Sequence, residues 1–132
     1  MQTAADLYRA AADARRYSHS PYSHFSVGAA IIAENAEGGR RVFTGCNVEN
    51  ASYGGAICAE RTAAVKAVSE GYTRFTAVAV SGGYAGEDEQ DDTFPCGICL
   101  QFLSEFASDD MTVTLRSGTY AFGELFPNAF RL

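Results

Sequence analysis

Four residues of this 132-residue chain carry chemistry that the rest must assemble: Cys58, Glu60, Cys96 and Cys99. Thiolates suit Zn²⁺, and three protein ligands instead of four leave a coordination position for water, which separates a catalytic zinc from a structural one. Zinc lowers the pKa of bound water from about 15.7 to near 7. Glu60, beside that open position, would carry the proton, a role typically worth about 10² to 10⁴ in rate. Other readings stay open. Cys96 and Cys99 as a redox pair would leave Glu60 without a purpose. Cys46 as a fourth thiolate would make the zinc structural, yet it falls in an apolar stretch where a free cysteine packs as a small hydrophobe. His19 and His24 precede every cysteine, in a proline-containing segment that suits surface or hydrogen-bonding roles.

Two helix starts are needed to bring the halves together. Good helix formers fill Cys58 to Glu70, closed by Gly71, which places Cys58 in a first turn. Thr93 as a cap and Pro95 open another helix, whose Cys99, Phe102, Leu103 and Phe106 share one face. With Zn²⁺ three thiolates sum to −1, which opposes ionisation of bound water. Two helix amino ends contribute roughly +0.5 each, and Arg61 can donate hydrogen bonds to a thiolate, so Arg61 is expected behind the ligands and away from substrate.

Around these lie the remaining elements. Ala4, Leu7, Tyr8 and Ala11 have helical spacing, and Pro21 ends the polar segment that follows. Phe25 to Ala33 and Arg41 to Val48 read as strands joined by a turn at Asn35, Gly38 and Gly39. Phe75 to Val80 reads as a buried central strand, Gly82 to Asp92 as a loop, and Met111 to Leu115 as a half-buried strand. Gly118 to Leu132 has no clear period. Strands alternating with helices predict a single α/β domain over 1–132. Its form is a three-layer α/β/α sandwich with a mixed sheet of about five strands, whose one antiparallel pair is the early hairpin.

Composition narrows the function. The chain is 47% apolar and has a net charge of −6, with five carboxylates between Glu87 and Asp92. That run repels phosphate, which argues against nucleic acids and nucleotides as partners and leaves an uncharged small molecule. No apolar run spans a bilayer and no secretory signal opens the chain, so a cytoplasmic protein with metal or thiol chemistry is expected.

The motifs also resemble a known family. Pro21-Tyr22-Ser23-His24-Phe25-Ser26-Val27-Gly28-Ala29, Gly45-Cys46-Asn47-Val48-Glu49-Asn50-Ala51-Ser52-Tyr53, Cys58-Ala59-Glu60-Arg61 and Pro95-Cys96-Gly97-Ile98-Cys99 are similar to the small, homotetrameric, zinc-dependent cytidine deaminases. The resemblance implies one zinc per subunit on Cys58, Cys96 and Cys99, Glu60 as proton carrier, and cytidine or 2′-deoxycytidine as substrate in pyrimidine salvage. It further implies that Asn47 and Glu49 bind the ribose, Phe25 packs on the pyrimidine and the Ala59 backbone holds the ring. Phe130 would enter a neighbouring subunit's site. Phe94 and Leu100 depart from the family, which has serine and arginine there; the second departure shifts charge balance onto Arg61. Rival readings are a deaminase of another aminopyrimidine, a structural zinc module, and a nucleic-acid binder, which the acidic charge disfavours.

Overall fold

A computed structural model describes residues 3–132. Thr3 caps helix α1 (Ala4–Ala14): its hydroxyl accepts from the Asp6 N–H at 3.0 Å, and the Asp6 carboxylate accepts from the Thr3 N–H. A 3-10 turn at Arg15–Tyr17 leads to β1 (Phe25–Asn35) and β2 (Arg40–Cys46). Asn35 closes their hairpin by accepting from the N–H groups of Glu37 and Gly39. Next come α2 (Ala59–Ser69), β3 (Tyr72–Tyr84), α3 (Gly97–Ser104), β4 (Ala107–Thr114), β5 (Thr119–Ala121) and a one-turn α4 (Phe122–Leu125). Gly71 at φ +88° reverses the chain after α2, in the left-handed region that only glycine enters without strain.

The sheet has five strands in the order β2-β1-β3-β4-β5. Only β3 and β4 run parallel, and α3 makes the crossover that such a pair requires. The other three pairs are antiparallel, so β1 against β2 is one antiparallel pair among several and not a lone one. Because β1 is antiparallel to both neighbours, β2 and β3 point the same way. Gly28 faces Cys46 on one side and Ser81 on the other, so the carboxyl ends of β2 and β3 share one end of the sheet.

Successive residues of a strand serve opposite faces, which divides the core. Ala30, Ile32 and Ala79 pack with Leu7 and Ala11 of α1. Ile31, Val78, Val80 and Val113 pack with Ala63, Ala67, Leu103 and Phe122. Three layers result, as expected. Both helix layers lie close because β1 and β2 offer glycines at the crossings. A Cβ on Gly28 would come 1.9 Å from the Ala11 carbonyl of α1, and one on Gly45 would come 2.5 Å from the Ala63 nitrogen of α2.

Several boundaries depart from the sequence reading. β3 extends from Tyr72 to Tyr84 and takes in Gly82 and Gly83, which read as loop because glycine weakens strands. Thr93 is not a cap: Cys96 is the N-cap of α3, and Cys58, instead of lying within a first turn, is the N-cap of α2. Phe106 lies beyond α3 and packs on Phe75. β4 begins at Ala107, its Ser-Asp-Asp opening having masked it, and the tail contains β5 and α4.

Candidate active site

α2 and α3 both start at the sheet end where β2 and β3 finish, and their N-cap residues are the cysteines at issue. N-cap backbone is extended, at φ −74°, ψ 155° for Cys58 and φ −73°, ψ 170° for Cys96. An N-cap residue sits at the positive end of the helix dipole, where an anion or a metal-bound sulfur is favourably placed. Cys99 lies buried one turn into α3. The sulfurs of Cys58, Cys96 and Cys99 lie within 4.8 Å of one another, and those of Cys58 and Cys96 are 3.6 Å apart. Tetrahedral zinc with Zn–S of about 2.3 Å places sulfurs roughly 3.8 Å apart, so this donor set fits the ion. Among the described residues neither Cys46 nor either histidine joins the cluster, which removes the four-thiolate reading. Cys46 is half-buried at the end of β2, where burial pushes its thiol up.

The cluster is electrically prepared for a cation. The Cys99 thiol donates towards Cys58, as does Arg61 Nη2 at 3.7 Å, and the Cys58 thiol falls to about 5. Cys99, the donor of that pair, is pushed up. Arg61 Nη2 also reaches the Ala56 carbonyl at 3.3 Å, which ties the guanidinium to the loop, and Arg61 is not among the residues that line the cavity at Glu60.

Glu60, the first-turn acid of α2, is 3% exposed. Burial pushes its carboxyl up to about 7, against a backbone hydrogen bond that pulls it down. It lines a cavity of about 200 Å³ together with Cys58, Cys96, Val27, Asn47, Glu49 and Phe94. A second cavity of about 340 Å³, walled by Tyr22 and Tyr53, shares Glu49 and Ala56 with the first.

Asn47 and Glu49 are held by the loop after α1. Asn47 Oδ1 accepts from Ser18 Oγ at 2.5 Å and from the Val27 N–H at 2.9 Å, while its Nδ2 donates to the Phe25 carbonyl. Glu49 accepts from the N–H groups of Tyr22 and Ser23 and from Ser23 Oγ at 2.5 Å, and these bonds lower its carboxyl, the hydroxyl contributing most. Ala59 lines the cavity and is fully buried. Phe25 is half-buried, edge-on to Tyr84 at 5.4 Å, and is not part of the cavity lining. Phe130 is 66% exposed and stands outside the cavity, its carbonyl accepting from Gln101. Ser18, Ser23 and Ile57 also belong to the site's surroundings, through their bonds to Asn47, Glu49 and Val48. Their roles depend on long-range pairing such as the bridge between Val48 and Ile57, which no local pattern announces.

Comparison with known proteins completes the picture. Residues 1–115 match the cytidine and deoxycytidylate deaminase zinc-binding region. This chain belongs to that family. A relative described as a probable cytidine deaminase of Dictyostelium discoideum is 42% identical over 129 residues, covering 92% of this chain and 79% of the relative. A cytidine deaminase of Halalkalibacterium halodurans is 39% identical, with 94% of this chain and 91% of that one covered. The crystal structure of cytidine deaminase from Burkholderia pseudomallei superposes with a TM-score of 0.83 at 40% identity, covering 98% of this chain and all (100%) of that one. The family has a zinc-binding region, and Cys58, Cys96 and Cys99 form a cluster able to hold that ion. No helix among the described residues is long and apolar enough to cross a membrane.

Proposed function

We propose that residues 1–132 form one catalytic domain that hydrolyses cytidine and 2′-deoxycytidine to uridine and 2′-deoxyuridine with release of ammonia, in pyrimidine salvage. The observation that carries this reading is the buried Glu60 beside the three-thiol cluster, facing a cavity at the head of two helices in a member of the deaminase family. Zinc, when bound, supplies Lewis acidity that makes water acidic near neutral pH. Glu60 takes the proton as the water oxygen bonds the ring carbon that carries the amino group. It gives that proton to the adjacent ring nitrogen, then carries the second proton, from the hydroxyl now on the carbon, to the amine, so that the carbonyl forms as the carbon–nitrogen bond breaks and ammonia leaves. Arg61 holds the Cys58 sulfur in place and offsets the excess thiolate charge.

The sugar would lie towards Glu49. A carboxylate offers about four acceptor sites and an amide two donors. Glu49 has three of its sites used and Asn47 one N–H used, which leaves an acceptor and a donor for a sugar hydroxyl. Ala59 would hold the ring and Phe25 would support the pyrimidine from behind. Phe94 and Ile57, which line the cavity, and Ile98, two residues beyond Cys96, are exposed apolar side chains, and with Phe130 they suit burial between subunits of a cytoplasmic homotetramer whose Phe130 residues reach neighbouring sites.

The test follows the fall in ultraviolet absorbance as cytidine becomes uridine, with Glu60→Gln measured beside wild type and zinc content determined for both. Turnover by wild type, and loss of about 10² to 10⁴ in rate by a variant that keeps its zinc, is expected. A folded, zinc-loaded wild type that leaves cytidine untouched refutes the substrate.

A further inference from the structure

The acidic run is stitched to the protein. β3 ends at Gly82, Gly83 and Tyr84, and the following chain folds over both faces of that end. A Cβ on Gly83 would come 2.7 Å from both Arg15 Nη2 and the Asp88 carbonyl, whereas one on Gly82, aimed at the opposite face, would come 2.5 Å from Thr93 Oγ1. Arg15, whose side chain is 10% exposed, donates to the Ser26 carbonyl at 3.0 Å and to the Glu87 carbonyl at 3.1 Å, and faces Glu89. Arg116 donates to the Glu89 carbonyl, and the Gln90 N–H to the Gly82 carbonyl at 2.9 Å. Asp92 then accepts from the Ser117 N–H at 2.8 Å and the Ser117 hydroxyl at 2.5 Å. Ser117 sits in the turn between β4 and β5.

Beyond Asp92 the hydrogen bonds end. Thr93, Phe94 and Pro95 make none among the described residues and are held by packing alone: Thr93 Oγ1 is buried without a partner against Gly82, Phe94 packs on Tyr120 and Pro95 is buried. Cys96 is four residues on and so within about 14 Å of Asp92, which lets the position of Asp92 limit where Cys96 can lie. α3 has only 8 residues with which to resist a shift there.

We infer that Asp92, through Ser117, and Arg15 are positioning residues for the metal centre. They fix the segment from which α3 departs and so hold Cys96 and Cys99 at zinc-binding distance from Cys58. The grip is specific within the run: Arg15 and Arg116 hold backbone carbonyls, and no hydrogen bond uses the carboxylates of Asp88 or Asp91 among the described residues.

Zinc release to an excess of chromogenic chelator, below the unfolding transition of each variant, tests this without reference to any substrate. Groups that orient metal ligands change affinity about 10- to 100-fold when removed, and an anchor acting through the chain belongs at the low end. Asp92→Ala and Ser117→Ala are expected to release zinc about tenfold faster, and Arg15→Met to do likewise. Ser117→Thr, which keeps the hydroxyl, restores the wild-type rate, as does Asp88→Asn/Asp91→Asn, which changes only charge. Arg41→Ala, which removes the exposed Arg41–Glu70 pair far from this loop, controls for lost stability. Wild-type release from Ser117→Ala and Asp92→Ala, or acceleration no greater than that of Arg41→Ala, overturns the inference. If cytidine proves not to be the substrate, these rates are unaffected, so the two readings fail separately.

Discussion

At the cluster, a sulfur atom is a weak hydrogen-bond acceptor that becomes a good one as thiolate, so Arg61 and Cys58 reinforce each other. Leu100, which follows Cys99, is uncharged and brings no second cation to the cluster. Arg61→Gln is therefore expected to raise the zinc release rate about 10- to 100-fold, as read with a chelator, and to leave cytidine KM nearly unchanged because Arg61 does not line the cavity. A different balance governs Glu49, whose folded pKa is depressed below 4.5, chiefly by the Ser23 hydroxyl. A depressed carboxylate adds stability that is present above its unfolded pKa and is lost as pH falls through the folded one. Ser23→Ala should thus lower the unfolding midpoint near neutral pH and converge with wild type on the acid side of 4.5. Parallel curves at all pH values would show that the hydroxyl does not act through Glu49.

Each helix meets the sheet at a glycine, and the two glycines differ in what the helix carries. Gly45 lies under α2, which bears Glu60 and begins at Cys58, whereas Gly28 lies under α1, which bears no site residue. Overpacking costs about 1 to 3 kcal/mol, often more where backbone must move. Gly28→Ala and Gly45→Ala should both shift denaturant midpoints downward, but the loss of turnover per remaining folded molecule should be much larger for Gly45→Ala. Equal losses would mean that α2 does not transmit sheet spacing to the site. These glycines also show where local pattern stops informing. The three-cysteine cluster, α1 and the hairpin were legible because periodicity and metal-ligand spacing are short-range signals. The end of β3 was not, since Gly82 and Gly83 are there to admit Thr93 and Arg15, contacts from distant parts of the chain. Thr93 looked like a cap because its type favours that role, yet the N-cap of each of the two helices is a cysteine of the cluster. The extra antiparallel pairs and β5 were hidden for a related reason, strand direction and partner being tertiary properties.

On the scale of the molecule, one chain supplies the thiols, Glu60 and the cavity walls but leaves Phe130 outside, held to α3 through Gln101 and flanked by Arg131, which donates to the Ser104 carbonyl at 3.1 Å. The tail is therefore ordered by the same helix that carries two ligands, while its aromatic ring is unsatisfied. If that ring completes a neighbour's site, a complete site draws Glu60 and Phe130 from different chains. A Glu60→Gln chain then lacks the proton carrier in its own site but still offers Phe130, and a Phe130→Ala chain has the reverse deficit. Unfolding each weakly active variant, mixing them and refolding with zinc should produce hybrid sites that pair an intact Glu60 with an intact Phe130. Activity of the mixture is expected to exceed the sum of the separately refolded variants. Dilution into either variant alone should abolish the excess, since hybrid sites depend on both. A mixture no more active than that sum would place both residues in one chain's site, or leave Phe130 out of the chemistry, and the proposal that sites are shared between subunits would fall while the zinc centre and Glu60 stand.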